Sequence, residues 1–275
     1  MKTTIKYSLF IPLLISFAFV SEAQYYGGGY RRQAPPPPPS HEKDDDGYAA
    51  PSGFLSVNFG FATPEGSFAQ SFGSGYGGYA EPGSVFHFSL GIPVAHSNFG
   101  VALMYGNYEN DYNLNSYCNI NGFISAPADN TYAEQSIMGG LFFTYPLGRL
   151  SIDARAMIGA LLCSLPEQDY YTEDAMLNEY QYDMQASNST ALAFDAGIGL
   201  RFLIIKFGRR PLCAMVNVDY LSANPSYSTE QIVYESPYVN PTGVVYQLVP
   251  NPTFSGHLPI SILNVTFGLG YQLGK

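Results

Sequence analysis

From Gly53 onward, apolar residues recur at every second position in eight separate runs. In the first run, "FLSVNFGFA", Leu55, Val57, Phe59 and Phe61 fall on one side and Ser56, Asn58 and Gly60 on the other. Successive side chains of a strand point to opposite faces, so each run predicts a strand with one greasy face. "VFHFSLGIPV" sets Phe86, Phe88, Leu90 and Ile92 against His87, Ser89 and Gly91, and "FGVALMYG" sets Phe99, Val101, Leu103 and Tyr105 against Gly100, Ala102 and Gly106. "SIMGGLFFTY" aligns Ile137, Leu141, Phe143 and Tyr145. In "LSIDARAMIGALL", Leu150, Ile152, Ala154, Ala156, Ile158 and Leu162 share a face, while Ser151, Asp153, Arg155 and Gly159 share the other. "LAFDAGIGLRF" and "LCAMVNVDYL" repeat the alternation, with Asp195, Arg201, Asn217 and Asp219 on the polar side. The last run alternates Val265, Phe267, Leu269, Tyr271 and Leu273 with Asn264, Thr266, Gly268, Gly270 and Gln272.

The second face of these runs decides the class. A soluble sandwich buries its greasy face and shows Lys and Glu on the other. Here the other face is rich in glycine, alanine and small polar residues, which suits the crowded interior of a narrow barrel whose greasy outside meets lipid. The runs of roughly 9 to 13 residues match tilted strands crossing a bilayer. The expected fold is therefore all-β, an eight-stranded antiparallel up-and-down transmembrane β-barrel over residues 53–275.

Connections alternate in length. The segments after Ala62, Tyr105, Leu162 and Leu221 are long, while "AHS", "PLGR" and "KFGRRP" are tight. Charge sorts the same way: Arg149, Lys206, Arg209, Arg210 and Lys275 lie on the tight-turn side, whereas the four long loops hold no Lys or Arg and many acids, Glu65, Glu81, Glu109, Glu167, Asp169, Asp183 and Glu235 among them. The loops also interleave tyrosines such as Tyr170, Tyr171, Tyr180 and Tyr182 with Asn, Ser and Gly, a mixture found on binding surfaces that combine rigid aromatics with adaptable polar groups.

Ahead of the barrel, Lys2 and Lys6 precede an apolar run from Leu9 to Val20 and the small residue Ala23. Residues 1–23 are expected to be a secretory signal peptide, since the run is too short to span a bilayer as a helix. Residues 24–52 include "APPPPPS" and a charge run, a stiff extended linker with nothing to bury. Charged residues make up only 12%, against about 25% in average soluble domains. The net charge of -10 argues against nucleic acid as a partner.

Candidate chemistry lies mostly inside the predicted lumen. Asp153, Arg155, Asp195, Arg201 and Asp219 share the inward phase on three neighbouring strands, and isolated charges in a narrow interior are costly, so they are expected to pair. Asp153 and Arg201 both fall near the tight-turn end. Asp195 and Asp219 fall toward the loop end, within reach of Arg155 or His87. Cys118 and Cys163 both lie on the loop side and could form a disulfide, whereas Cys213 belongs to the opposite rim. His87 and Ser89 form a His-x-Ser pair, but their phase points inward. No metal-ligand spacing or cofactor motif is present in the sequence.

Residues 53–275 resemble the eight-stranded outer-membrane barrels typified by OmpA-like and OmpX-like domains, and among them the barrels common in Bacteroidetes. In that family the last strand carries a signal for the barrel-insertion machinery, and Thr266, Gly268, Tyr271 and Leu273 of "TFGLGYQL" match it. The resemblance implies export through a signal peptide, a periplasmic linker, residence in the outer membrane of a Gram-negative cell, and lipid and lipopolysaccharide as surroundings. Eight strands leave an interior filled by side chains, so the expected role is that of a non-enzymatic protein that supports the envelope or binds an extracellular ligand or envelope protein through its loops. Two alternatives remain: an accessory subunit of a secretion or uptake assembly, and an enzyme like the lipid A deacylases, which use a His-x-Ser pair.

Overall fold

The computed structural model describes residues 53–70, 77–94, 97–121, 124–125, 131–173, 179–207, 210–236, 247–249 and 253–273. The expected signal peptide (1–23), linker (24–52) and terminal Lys275 lie outside the described residues. In chain order the elements are β1 (Gly53–Pro64), α1 (Gly66–Ala69), β2 (Gly83–Pro93), β3 (Phe99–Asp111), α2 (Leu114–Asn121), β4 (Ile124–Ser125), β5 (Thr131–Leu147), β6 (Leu150–Leu165), β7 (Gln168–Glu173), β8 (Glu179–Met184), β9 (Ser187–Phe207), β10 (Arg210–Ala223), β11 (Ser226–Ser236), β12 (Gln247–Val249), β13 (Thr253–His257) and β14 (Ile260–Leu273). No helix among the described residues is long and apolar enough to cross a membrane.

Eight strands close into an antiparallel barrel in the order β1-β14-β10-β9-β6-β5-β3-β2, which is simple chain order with β14 returning to β1. Closure runs from Gly53 opposite Leu273 to Pro64 opposite Ile262. Each run read from the sequence falls within one of these strands, apart from Val94 just past the end of β2, because period-two alternation leaves only one register that keeps a whole face together. The hairpin between β5 and β6 turns on Gly148, whose φ of 68° is the left-handed value that the first central residue of a two-residue hairpin loop demands.

The barrel is apolar outside and polar inside. Phe61, Leu141 and Ile198 are 66%, 63% and 65% exposed on the outer face. Asn58, His87, Asn110, Glu134, Ser136, Asn264 and Thr266 are wholly buried on the inner one. Water would penalise that outer surface by roughly 25 cal/mol per Å² of apolar area, whereas lipid would not.

Two features exceed the sequence reading. Strands β5, β6 and β9 run to 17, 16 and 21 residues, longer than the apolar runs within them. Their outward side chains turn polar toward the loop end, at Gln135, Asn188 and Thr190, so the wall rises above its apolar belt. The long connections also contain strands of their own. Pieces of three of them pair into a second sheet in the order β12-β11-β8-β7-β4, with β13 on β11.

Candidate functional site

The lumen is filled in layers, beginning at the tight-turn end. Arg201 on β9 brings its Nη2 to 2.8 Å from Asp153 Oδ2 on β6, and its Nε donates to the same oxygen at 3.1 Å. Thr144 on β5 donates to the other carboxylate oxygen at 2.6 Å. The guanidinium lies 4.6 Å from the centre of the Phe54 ring, which meets Phe142 edge-on at 5.2 Å. A cation stacked on an aromatic face and paired to a carboxylate keeps both of its favourable contacts without water.

In the middle layer, Arg155 on β6 reaches across to Asp219 on β10. Its Nε donates to Asp219 Oδ1 at 2.7 Å and its Nη2 to Oδ2, a forked arrangement. Asp195 on β9 stands 4.0 Å from the same guanidinium, its side chain fully buried and neither oxygen hydrogen-bonded. Gly197 makes room for this cluster, since a Cβ there would collide with the Asp219 carboxylate. His87 joins a different group: its Nε2 is 3.1 Å from the Tyr108 hydroxyl, which is 3.3 Å from Ser136 Oγ. Asn217 donates to Asn58 and Thr266, both at 3.3 Å. A cavity of about 20 Å³ remains beside Phe54, Ser89, Phe142 and Arg155, space for about one water.

At the loop end the seal is aromatic. Phe68 of α1 packs on Tyr132 of β5 at 5.0 Å, and Tyr112 meets both Tyr132 and Tyr79 edge-on at 5.7 and 6.1 Å. The Tyr132 hydroxyl donates to Gly78 O at 2.6 Å, and Asn110 Nδ2 donates to Ala62 O and Glu81 O, both at 3.0 Å. Tyr79 holds a left-handed backbone, φ 51°, to reach this position. Beneath the seal Glu134 is wholly buried with neither carboxyl oxygen partnered, directly across the ladder from Cys163.

The disulfide that the sequence allows is not formed: Cys118, Cys163 and Cys213 are all free and buried. Cys118 sits in α2 beside Tyr112, whereas Cys163 faces Glu134 and Tyr227 from the barrel wall, so each thiol packs among its own neighbours. Burial pushes the Cys118 thiol up to about 11, which keeps it protonated and unreactive. His87 and Ser89 are both buried in the lumen, and the histidine is engaged by Tyr108. On β14, Thr266 and Gly268 face inward while Tyr271 and Leu273 face outward.

One constellation had no signal along the chain. Asp169 on β7 lies directly opposite Asp183 on β8, and with Glu167 they place three carboxylates within 4.8 Å of one another, close enough to share a cation. Only the hairpin brings them together. Partial burial, then Asp169 and Glu167, raise the Asp183 carboxyl above the usual carboxylate range, although Gln185 donates to it at 3.2 Å.

No protein-family model matches the chain, and no curated protein matches it in sequence. Among solved structures, it is similar to a major outer membrane protein from Thermus thermophilus, with 12% identity over 81% of this chain and 98% of that one and a TM-score of 0.39. It is also similar to the β domain of the Bordetella autotransporter BrkA, with 11% identity over 82% and 99% of the two chains and a TM-score of 0.28. At these scores the likeness shows neither family nor function, and the eight-stranded barrel rests on the chain's own closed ladder.

Proposed function

We propose that residues 53–275 form a non-enzymatic outer-membrane barrel of the OmpA-like and OmpX-like kind, exported by the signal peptide of residues 1–23, tethered through the periplasmic linker of residues 24–52 and inserted by machinery that reads β14. Its long loops face outward and its tight turns face the periplasm, since in such barrels the longer loops are extracellular. Its work is envelope support and loop-mediated binding, not solute passage.

The observation that carries this reading is the inversion of the barrel, an apolar belt outside and a lumen closed by two ion-paired layers and an aromatic seal. An eight-stranded barrel leaves an interior just wide enough for side chains to fill. The loop sheet offers the binding surface, a tyrosine-bearing acidic platform built from three loops. A lipid-cleaving role would need His87 and Ser89 to meet lipid, and both lie in the lumen. The reading is tested by expressing the full chain in a Gram-negative host and fractionating the envelope. Recovery with the outer membrane, extraction only by detergent and a heat-dependent gel mobility are expected. Recovery as a soluble, heat-indifferent protein overturns it.

A further inference from the structure

The mouth of the barrel is covered by a strand that is not part of its wall. The β9–β10 ladder stops at Ala193 opposite Ala223, while β9 continues toward Ser187 in register with β6. Beyond Ala223 the chain turns at Asn224 and Pro225 into β11, and no ladder joins β11 to the barrel among the described residues. The base of β11 rests on the top of β9 through two hydroxyls. Ser189 Oγ donates to Ser226 O at 2.6 Å and Ser187 Oγ to Ser228 O at 2.8 Å. Between these two anchors Tyr227 is buried in the mouth, beside Cys163, Glu134 and Tyr132.

Glu134 lies above the apolar belt, since the outward face of β5 carries Ala133 and Gln135 at this height and turns greasy only at Ile137. It is wholly buried, and neither carboxyl oxygen has a hydrogen-bond partner among the described residues. The groups around it are all neutral. Tyr108 of β3 and Cys163 of β6 face it across the two ladders, Tyr132 stands two residues away on its own strand, and Tyr227 adjoins it from β11. No Lys or Arg can reach it from above, because the four long loops contain none. His257 of β13, opposite Ser226, is exposed. A carboxylate enclosed in this way without a counter-charge is costly, whereas a protonated carboxyl is tolerated.

We propose that Glu134 is a proton-held latch on the mouth of the barrel: its neutral carboxyl keeps Tyr227 and the base of β11 seated, and its ionisation draws water into the mouth and lifts β11 about Asn224 and Pro225. Burial in the closed mouth raises the carboxyl to about 8, above the usual carboxylate range to which an open, hydrated mouth returns it. Opening therefore releases a proton. Closure is at full strength below the usual carboxylate range and weakens as pH rises from that range to about 8, where the closed form ionises as well.

The test uses the full mature chain refolded in detergent micelles, with Cys118→Ser and Cys213→Ser so that Cys163 is the sole thiol. The rate at which iodoacetamide alkylates Cys163, divided by its rate in the urea-denatured chain at the same pH, reads how often the mouth opens. That ratio should remain far below one, yet rise from about pH 5 to about pH 8 by up to about tenfold per pH unit and then level off. Glu134→Gln should keep the ratio low and flat, and Asp183→Asn and His257→Asn should leave the rise intact. A flat ratio in the parent, a rise that survives Glu134→Gln, or a rise lost in Asp183→Asn or His257→Asn would overturn the proposal. Heat-dependent gel mobility shows which samples are folded barrels, and the parent's own profile decides the matter should Glu134→Gln not be one.

Discussion

Arg201 orders the tight-turn end of the lumen, because it holds Asp153 while covering Phe54. Replacing it with Gln leaves a carboxylate in a narrow interior without its counter-charge, and breaking such a pair costs on the order of 3 kcal/mol. Urea unfolding of the Arg201→Gln barrel in lipid vesicles should show that loss, and an unchanged midpoint would mean that Asp153 is well hydrated. Gly197 poses the opposite problem. Its missing side chain is the space that Asp219 occupies, so Gly197→Ala must push the carboxylate off Arg155 or bend β9. Overpacking of this kind costs about 1–3 kcal/mol, and a variant as stable as its parent would show that the middle layer has slack. The residues of both layers could be read from phase alone, since inward position follows from alternation. The fork from Arg155 to Asp219, and the loss of His87 to Tyr108, could not, because strand tilt and rotamer choice set who reaches whom.

At the scale of elements, the β7–β8 hairpin is in tension with itself. Like charges directly opposite on paired strands repel, and Asp169 faces Asp183 with Glu167 close by. Folding raises the Asp183 carboxyl above its unfolded value, so the unfolded hairpin ionises more readily than the folded one. The resulting penalty is absent below the unfolded carboxylate range and grows as pH rises through it to the folded value. Hydrogen exchange at the β7 and β8 amides should therefore slow, after correction for intrinsic rates, as pH is lowered from neutral into the carboxylate range. Asp183→Asn should protect the hairpin at neutral pH and flatten that dependence, and equal protection at both pH values in the parent would contradict the argument. In sequence this segment reads as loop, because "QDYYTE" and "EYQYDM" alternate without a greasy face. Their tyrosines and threonine are good strand residues, yet what makes them strands is the neighbouring β11, which comes from another loop.

For the whole molecule, layers of paired charge fill the lumen below and interlocked rings pack above them. In planar bilayers the protein should insert without large, stable conductance, and steady nanosiemens channels would mean that the seal of Phe68, Tyr79 and Tyr112 opens in the membrane. The three buried thiols make a second check on the intact fold. In the folded barrel they should resist a water-soluble alkylating reagent, and all three should react once the barrel is boiled in denaturant. Rapid labelling of the folded form at Cys118 would show that the helix beneath the loops is open to solvent.

Alternation with a period of two determined by itself which residues face in, which face out, how many strands close the barrel and which end bears the long loops. Each of these follows from local geometry, since a strand's two faces are set by the pleat and a one-residue slip would turn a whole apolar face into the lumen. Only the tertiary structure decided the rest. Strand tilt and stagger brought Arg155 to Asp219 rather than leaving Asp195 and Asp219 to share a partner equally. Pairing among segments far apart in the chain made a sheet from loops, gathered three carboxylates and kept Cys118 from Cys163. The parting of β9 from β10 above Ala193 belongs here too, because a strand's sequence shows where it can pair and not where its neighbour turns away.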